Sequence, residues 1–204
     1  MFALVESGTI TQFPKGNKGI TIGDNQYPQS IYTLWTEAER NAIGIYTVTI
    51  DNTNRKDEAF YINTDVTYTF TGSAVTGTYG TATAKRLNDE NAVDEDGNNI
   101  LDADGNQVIN YGLKTFYKDK FNSQAAGLLA KTDWYVIKAA DVTDYNVPSN
   151  VATYRAAVRT KVNAMETSID NCADVDALKT LLTYTQDSEG VVSRPLGEFP
   201  DEVV

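Results

Sequence analysis

The stretch "LLAKTDWYVIKAAD", from Leu128 to Asp141, indicates how the second half of the chain is organised. Its Leu pair is followed by Thr132 and Asp133, which favour turns over helix interiors because their side chains hydrogen-bond to nearby backbone groups. We therefore expect the helix before this turn to end near Ala130.

Trp134 follows the turn directly. With Val136 and Ile137 it is expected to pack across the helices on either side. A tryptophan in such an elbow buries a large area and sets the angle between the two helices. A direct role in binding is the alternative for Trp134 and for Asp133 before it.

The helix before the turn is predicted over residues 113–130, because apolar side chains recur there every three or four positions. This apolar stripe consists of Leu113, Phe116, Tyr117, Phe121, Ala125, Leu128 and Leu129. The lysines off the stripe, which are expected to face water, are Lys114, Lys118 and Lys120.

A second long helix is predicted over residues 149–169, after the start signal of Pro148 and Ser149. Its apolar face consists of Val151, Tyr154, Val158, Val162, Met165 and Ile169. A third, short helix is predicted to begin at an Asp174 cap. Its apolar residues are Val175, Leu178, Leu181 and Leu182.

Arg155 and Arg159 lie one turn apart beside the apolar face of the second helix. The simpler expectation is that both are solvated or paired with nearby acids such as Asp141 or Asp144. The functional alternative is a bidentate contact to a carboxylate on a partner protein.

Residues 1–86 are predicted to form a small, mainly antiparallel β module with one short helix. "FALVE" and "TITQF" flank the Ser7-Gly8 turn pair, which predicts a hairpin. Thr36 and Glu39 fit a capping box at the start of the short helix, and Gly44 is placed to end it in the left-handed conformation. Alternating β-favouring residues predict further strands at 45–50 and within 65–86.

Two octapeptides, "VDEDGNNI" and "LDADGNQV", follow one another without a gap over residues 93–108. Neither fits a calcium-binding EF-hand, because either alignment on the glycine leaves apolar residues or tyrosine at the first and last ligand positions. We therefore expect two Asp-Gly turns that join short strands, as in a hairpin.

The composition excludes several classes of function. With 28 acidic against 17 basic residues, the net charge is −11, which disfavours binding to nucleic acid or to anionic membrane surfaces. The chain contains no histidine and one cysteine, which removes the usual catalytic triads and His-containing zinc sites. Its first residues lack the basic lead and length of a signal peptide. No cofactor or metal is expected, and the chain is not expected to be an enzyme.

These observations predict an α+β fold in four parts. They are a β-rich N-terminal module (1–86), a hairpin-like Asp-Gly repeat (87–112), a helical C-terminal module (113–186) and an extended tail (187–204). The helical module is expected to be a helical hairpin with one additional short helix.

"LLAKTDW", Pro148 and then "YRAAVR" (residues 154–159) resemble the C-terminal pattern of bacteriophage tail assembly chaperones and tail-fibre assembly proteins. In that family a Leu-rich helix, a Ser/Thr-Asp-Trp turn and a Tyr-Arg-containing helix follow one another. The first half is similar in order, with Tyr27-Pro28, a short helix at Ala38-Glu39, and then Gly44-Ile45-Tyr46.

The chain also departs from that family. It has Phe199-Pro200 where those proteins often end on Trp-Pro, and the octapeptide repeat, the third helix and the long tail are additions. The additions weigh against a transient chaperone role and leave room for a protein that stays in the virion.

The resemblance implies a non-enzymatic protein of the virion tail, made in the host cytoplasm, that binds a tail or tail-fibre protein and promotes its folding or assembly. A homo-oligomer is a further expectation. The candidate residues for binding a partner or packing the elbow are Trp35, Asp133, Trp134, Tyr154, Arg155 and Arg159.

Two other functions remain open at this point. The first is a receptor-binding tip module for host surface glycan, with Trp35, Tyr79 or Tyr111 as stacking platforms. The second is a glycan hydrolase that uses two carboxylates, since such an enzyme needs no histidine.

Overall fold

The computed structural model describes residues 1–202 and divides the chain into two compact units, Met1–Thr83 and a second that begins at Ala84. The predicted α+β class is confirmed. The division falls three residues before the module boundary that the sequence predicts at 86. The second unit comprises the repeat, the helices and the tail together.

The first unit is built from short strands and two short helices. In chain order these are β1 (Phe2–Glu6), β2 (Thr9–Gln12), β3 (Ile20–Ile22), β4 (Asn25–Tyr27), α1 (Ile31–Leu34), α2 (Glu37–Ala42), β5 (Ile45–Asp51), β6 (Tyr61–Ile62), β7 (Val66–Phe70) and β8 (Val75–Tyr79), and β9 (Thr83–Ala84) spans the division. The prediction of one short helix is wrong, because there are two: the four-residue helix α1 precedes the capped helix α2.

Five strands form one sheet in the order β2-β1-β5-β8-β7. β1 and β2 make the predicted hairpin, and both turn residues, Ser7 and Gly8, have positive φ. β5 and β8 pair in parallel, with Val48 opposite Val75, whereas the other neighbours in this sheet pair antiparallel. The expectation of a mainly antiparallel module agrees with this sheet.

The sheet buries side chains on both faces. Alternation along β1 sends Ala3 and Val5 to one core, with Val48 and Val75, and Leu4 to the other. The second core is closed by α1 and contains Ile31, Tyr32 and Ile45. The predicted capping box is present at α2, where the Thr36 hydroxyl accepts from the Glu39 amide and the Glu39 carboxylate accepts from the Thr36 amide.

The second unit contains the long helices. Its elements are β10 (Glu90–Asn91), β11 (Ile109–Asn110), α3 (Leu113–Ala130), α4 (Asp133–Asp141), α5 (Ser149–Asp170), α6 (Val175–Leu182), β12 (Thr185–Gln186) and β13 (Val192–Ser193). α3, α5 and α6 match the predicted helices to within a residue or two, whereas α4 occupies a segment that we expected to be a turn and a short apolar run.

The octapeptide repeat forms two Asp-Gly turns, as expected. In each turn the first Asp carboxylate accepts from backbone amides, and the glycine (Gly97 or Gly105) has positive φ. The backbones of Ala92, Ile100 and Val108 close a ring of three hydrogen bonds at the base of the turns, with N–O distances of 2.8–2.9 Å. This ring holds the two turns side by side.

α3 and α5 pack as an antiparallel pair. The buried face of α3 is formed by Leu113, Tyr117, Phe121 and Ala125, so Phe116 is wrongly placed on the predicted stripe and is exposed. Lys114 and Lys118 do not simply face water either: their Nζ atoms donate to the backbone and carboxylate oxygens of Asp170 at 3.0 and 2.8 Å. These bonds join the start of α3 to the end of α5.

The segment predicted as an extended tail contains a hairpin and a docking contact. β12 and β13 pair antiparallel, with an Asp187–Gly190 turn between them. Leu196 then returns to the helices, where it is buried and its amide donates to Leu181 at 3.1 Å. Apolar burial of Leu196 therefore holds this segment against the helices; its last two residues, 203–204, lie outside the described part.

Among residues 1–202, no helix has the length and apolar character needed to cross a bilayer.

Candidate functional site

The Thr-Asp-Trp turn is held by a buried arginine, not by the tryptophan. The side chain of Arg155 on α5 is 9% exposed. Its Nη1 donates to the Leu129 carbonyl and to the Thr132 hydroxyl, both at 2.7 Å, and its Nη2 lies 2.8 Å from the Asp133 carboxylate. One guanidinium thus connects the end of α3, the turn and the start of α4.

Each of these contacts has a local electrostatic reason. Leu129 lies in the last turn of α3, where carbonyls lack intrahelical partners and a cation is favoured. Asp133 begins α4, where a carboxylate is favoured by the helix dipole. The planar guanidinium reaches the three oxygens through two separate nitrogens, a geometry that the single nitrogen of a lysine does not offer.

Arg155 is therefore paired with a nearby acid, as the simpler expectation held, but that acid is Asp133 and not Asp141 or Asp144, and the guanidinium is buried and not solvated. The spacing of Arg155 from Val151 and Val158 places it on the buried face of α5. Its guanidinium therefore faces the Thr132-Asp133 turn. Arg159, one turn later, is exposed as expected.

Trp134 is not the buried wedge of the elbow. The indole is 52% exposed and lies against Tyr135, with ring centroids 4.1 Å apart. The reason is that residues 133–141 form a helix, whose half-buried positions are Tyr135 and Ala139. Trp134 is rotated away from that inner side.

Val136 and Ile137 were also expected to pack across the helices, and this too is wrong, since both are exposed. Together with Trp134 and Ala140 they occupy the outer side of α4. We call these four residues the α4 face. Every residue of α4 is exposed or half-buried, although most of the helix is apolar.

The charges near the α4 face lie at its two ends and beside it. Asp133, at its first end, is paired with Arg155, and Lys138 lies beside the Trp134 ring with its Nζ 5.5 Å from the centroid. Asp141 is exposed at the far end. An apolar centre with charges at its edge is the usual anatomy of a protein–protein interface.

Tyr154 precedes Arg155 and is also buried. Its hydroxyl has no hydrogen-bond partner within the described residues, and burial, followed by the nearby Glu202 carboxylate, raises its pKa. Tyr154 therefore packs the helix pair and does not present a surface to a partner. The ion pair of Lys131 and Glu202 brings the C-terminal segment to the same end of α5.

Trp35 belongs to the first unit and is half-buried. It packs edge-on against Tyr27, with centroids 5.9 Å apart, at the margin of the core that α1 closes. Its carbonyl accepts from the Arg40 guanidinium. Trp35 is therefore a packing residue.

Of the aromatic residues considered as sugar platforms, Tyr79 is half-buried with Arg55 near its ring, and Tyr111 is exposed. Within residues 1–202, no cluster of three or more His, Cys, Asp or Glu side chains is arranged to hold a metal ion.

The two units thus define an α+β protein whose most distinctive surface is an outward-facing apolar helix on an arginine-clamped helix pair. No family model, curated protein or solved structure matches the chain.

Proposed function

We propose that the protein is a non-enzymatic bacteriophage tail or tail-fibre-associated protein that binds a fibre or tail protein through the α4 face. The observation that carries this proposal is the exposure of that face: Trp134 is 52% and Ile137 67% exposed. An isolated apolar residue on a surface is ordinary, but a contiguous apolar helix face indicates an interaction site.

The geometry of α4 supports binding rather than a role in folding of the chain itself. Arg155 fixes the start of α4 through Thr132 and Asp133, so the helix is held in place from one end. A helix positioned in this way loses little conformational freedom on binding. Trp134 and Ile137 are then the expected anchors, because large apolar side chains near the centre of an interface carry most of its binding energy.

The proposed partner is the apolar surface of a fibre or tail protein before that protein has assembled. Unassembled fibre chains expose strand edges and apolar seams, which aggregate unless they are covered. A face with an apolar centre on an acidic protein suits such a partner, since the net charge of −11 keeps the complex soluble. The resemblance to phage tail assembly proteins supports the same partner.

The protein acts in fibre assembly and is retained in the virion tail. Retention is supported by the parts of the chain that the family pattern lacks: the repeat, α6 and the C-terminal hairpin are integral parts of the second unit. A homo-oligomer in the virion is part of this proposal. Mass spectrometry of purified virions tests whether the protein is retained, and we expect a fixed copy number per particle. Absence from the particle would instead indicate a transient assembly factor.

The binding proposal is tested by co-expression with the fibre protein encoded beside it. We expect the two proteins to co-purify and the fibre protein to become insoluble when expressed alone. Ile137→Asp should weaken the complex by about 30-fold or more, because it places a charge in the apolar centre of the interface.

The matched control is Ile62→Asp, which introduces the same charge at an isoleucine of the first unit that is 60% exposed. It should leave the complex unchanged. The binding proposal would be overturned if the proteins do not co-purify and fibre solubility is independent of this protein. Equal effects of the two variants would exclude the α4 face.

A further inference from the structure

A second candidate site lies in the first unit, in the loop between β2 and β3. Residues 14–19, "PKGNKG", form what we call the glycine–lysine loop. The loop curves around a cavity of about 400 Å³, to which Phe13, Ile20 and Tyr32 also contribute. Cavities that hold small organic ligands range from about 300 to 1,000 Å³.

The loop is held in shape by close contacts along its length. Gly16 has φ +72°, and a Cβ there would lie 3.3 Å from the Phe2 ring. At Gly19 a Cβ would lie 2.5 Å from the Tyr27 carbonyl oxygen, so only glycine fits. Gln29 donates to the Gly16 carbonyl at 3.5 Å. The loop is therefore supported by the body of the unit and is partly preorganised.

The loop is rich in hydrogen-bond donors that have no acceptor within the described part of the protein. Within residues 1–202, the backbone amides from Lys15 to Lys18 make no hydrogen bond to protein, and the Lys15 and Lys18 ammonium groups pair with no carboxylate. A run of backbone amides beside cationic side chains is the usual composition of an anion-binding loop.

The charge distribution favours an anion at this position in particular. The chain has a net charge of −11, yet residues 7–23 contain both loop lysines and no Asp or Glu. The loop is therefore a cationic segment of an acidic protein, so an anionic ligand would meet less repulsion here than on the remaining surface.

The lining of the cavity also includes apolar groups. These are Phe13, which lies against Tyr68 with centroids 4.6 Å apart, Ile20 and the Tyr32 ring. A ligand that uses both the donors and the apolar groups carries an anionic oxygen group on a ring or short carbon framework. A bare inorganic ion would leave the apolar groups without a contact.

We propose that the glycine–lysine loop binds a small organic anion, with its carboxylate or phosphate at the Lys15–Lys18 donors and its carbon framework against Phe13, Ile20 and Tyr32. This site is independent of the α4 face, so either proposal can fail without the other.

The test is a ¹H–¹⁵N NMR titration of the full chain with four probes: D-glucuronate, D-glucose 6-phosphate, inorganic phosphate and neutral D-glucose. We expect saturable shifts of the Lys15–Gly19 amides with glucuronate or glucose 6-phosphate, weaker shifts with inorganic phosphate and none with glucose. The first two probes distinguish a carboxylate ligand from a phosphate ligand.

The double variant K15A/K18A should weaken binding of the better probe by about tenfold or more, because two charge-assisted contacts are lost. The control K56A/K120A removes the same charge from exposed lysines elsewhere and should bind as the parent chain does. The proposal is overturned by the absence of saturable shifts in the loop, by equal binding of glucose, or by equal effects of the two double variants.

Discussion

α4 and α5 are consecutive helices that use their apolar residues in opposite ways. α5 is the more polar of the two, yet it buries seven side chains, among them Val158 and Ile169. α4 contains Trp134, Val136 and Ile137 and leaves all three exposed. Apolar content alone therefore does not decide which helix enters the core.

The difference lies in the spacing of the residues and in what faces them. Side chains of α5 recur on one stripe that meets α3 along its length, and Arg155 on that stripe supplies the polar contacts the turn needs. α4 is attached through its first residue and through its Tyr135 side. Its remaining apolar residues have nothing in the described chain to cover them, which is why we assign them to a partner.

The largest expected difference between α5 and α4 is the loss of unfolding free energy when one isoleucine of each helix is replaced by alanine. Ile169→Ala should lower the free energy of unfolding by about 3–4 kcal/mol, since Ile169 is 0% exposed and its loss leaves a cavity. Ile137→Ala should change it by about 0.5 kcal/mol or less. Urea unfolding followed by far-UV circular dichroism measures both, and similar losses would mean that α4 belongs to the core.

Matched arginines test the clamp on the turn. Arg155→Met should cost about 2–3 kcal/mol, because the Leu129 carbonyl and the Thr132 hydroxyl lose a buried donor. The ion pair adds little to this value because Asp133 is half exposed. Arg159→Met, one turn further along α5, should be nearly neutral in the same urea experiment. A neutral Arg155→Met would show that the turn is held by other contacts.

The N-terminal cap of α6 should contribute less to the free energy of unfolding than Arg155 does. The Asp174 carboxylate accepts from the Ala177 amide at 2.8 Å, so Asp174→Ala should cost about 1 kcal/mol in thermal or urea unfolding. Asp119→Ala, at an exposed site on α3, is the control that should leave stability nearly unchanged. A larger loss in the control would contradict this assignment of the cap.

The smallest expected effect is the response of the octapeptide turns to acid. Backbone amides of Asn98 and Asn106 hold the pKa values of Asp94 and Asp102 below their usual range. Because the folded pKa is depressed, this stabilisation is complete above the ordinary Asp pKa of about 4 and is lost as the pH falls through the folded pKa. Carboxyl ¹³C NMR titration should give midpoints below that ordinary value; midpoints at or above it would contradict the turn geometry.

Local pattern was sufficient to predict much of the second unit. The residue spacing of α5 and the Asp174 cap of α6 are encoded within single helices, so they can be recognised without tertiary information. The burial of Arg155 could also have been predicted, because its spacing from Val151 and Val158 places it on the apolar face. Its charge led to the opposite expectation.

A third Asp-Gly turn, at Asp187–Gly190, repeats the pattern of Asp94 and Asp102 and could have been recognised from its sequence. The parallel pairing of β5 and β8 could not, because the partners are separated by more than twenty residues and nothing local specifies the pairing. The exposure of Trp134 could not be predicted either, because it follows from residues 133–141 forming a helix. Thr132 and Asp133 favour turns and therefore indicated a turn at the start of this segment.

The most direct test of the α4 face uses the fluorescence of Trp134. The Trp35→Phe variant leaves Trp134 as the single tryptophan of the chain, and acrylamide quenching then reports its exposure with and without the fibre protein that we propose as the partner. We predict that Trp134 is readily quenched in the free protein and protected in the complex. A complex in which Trp134 is quenched as readily as before would contradict the assignment of this face to the partner.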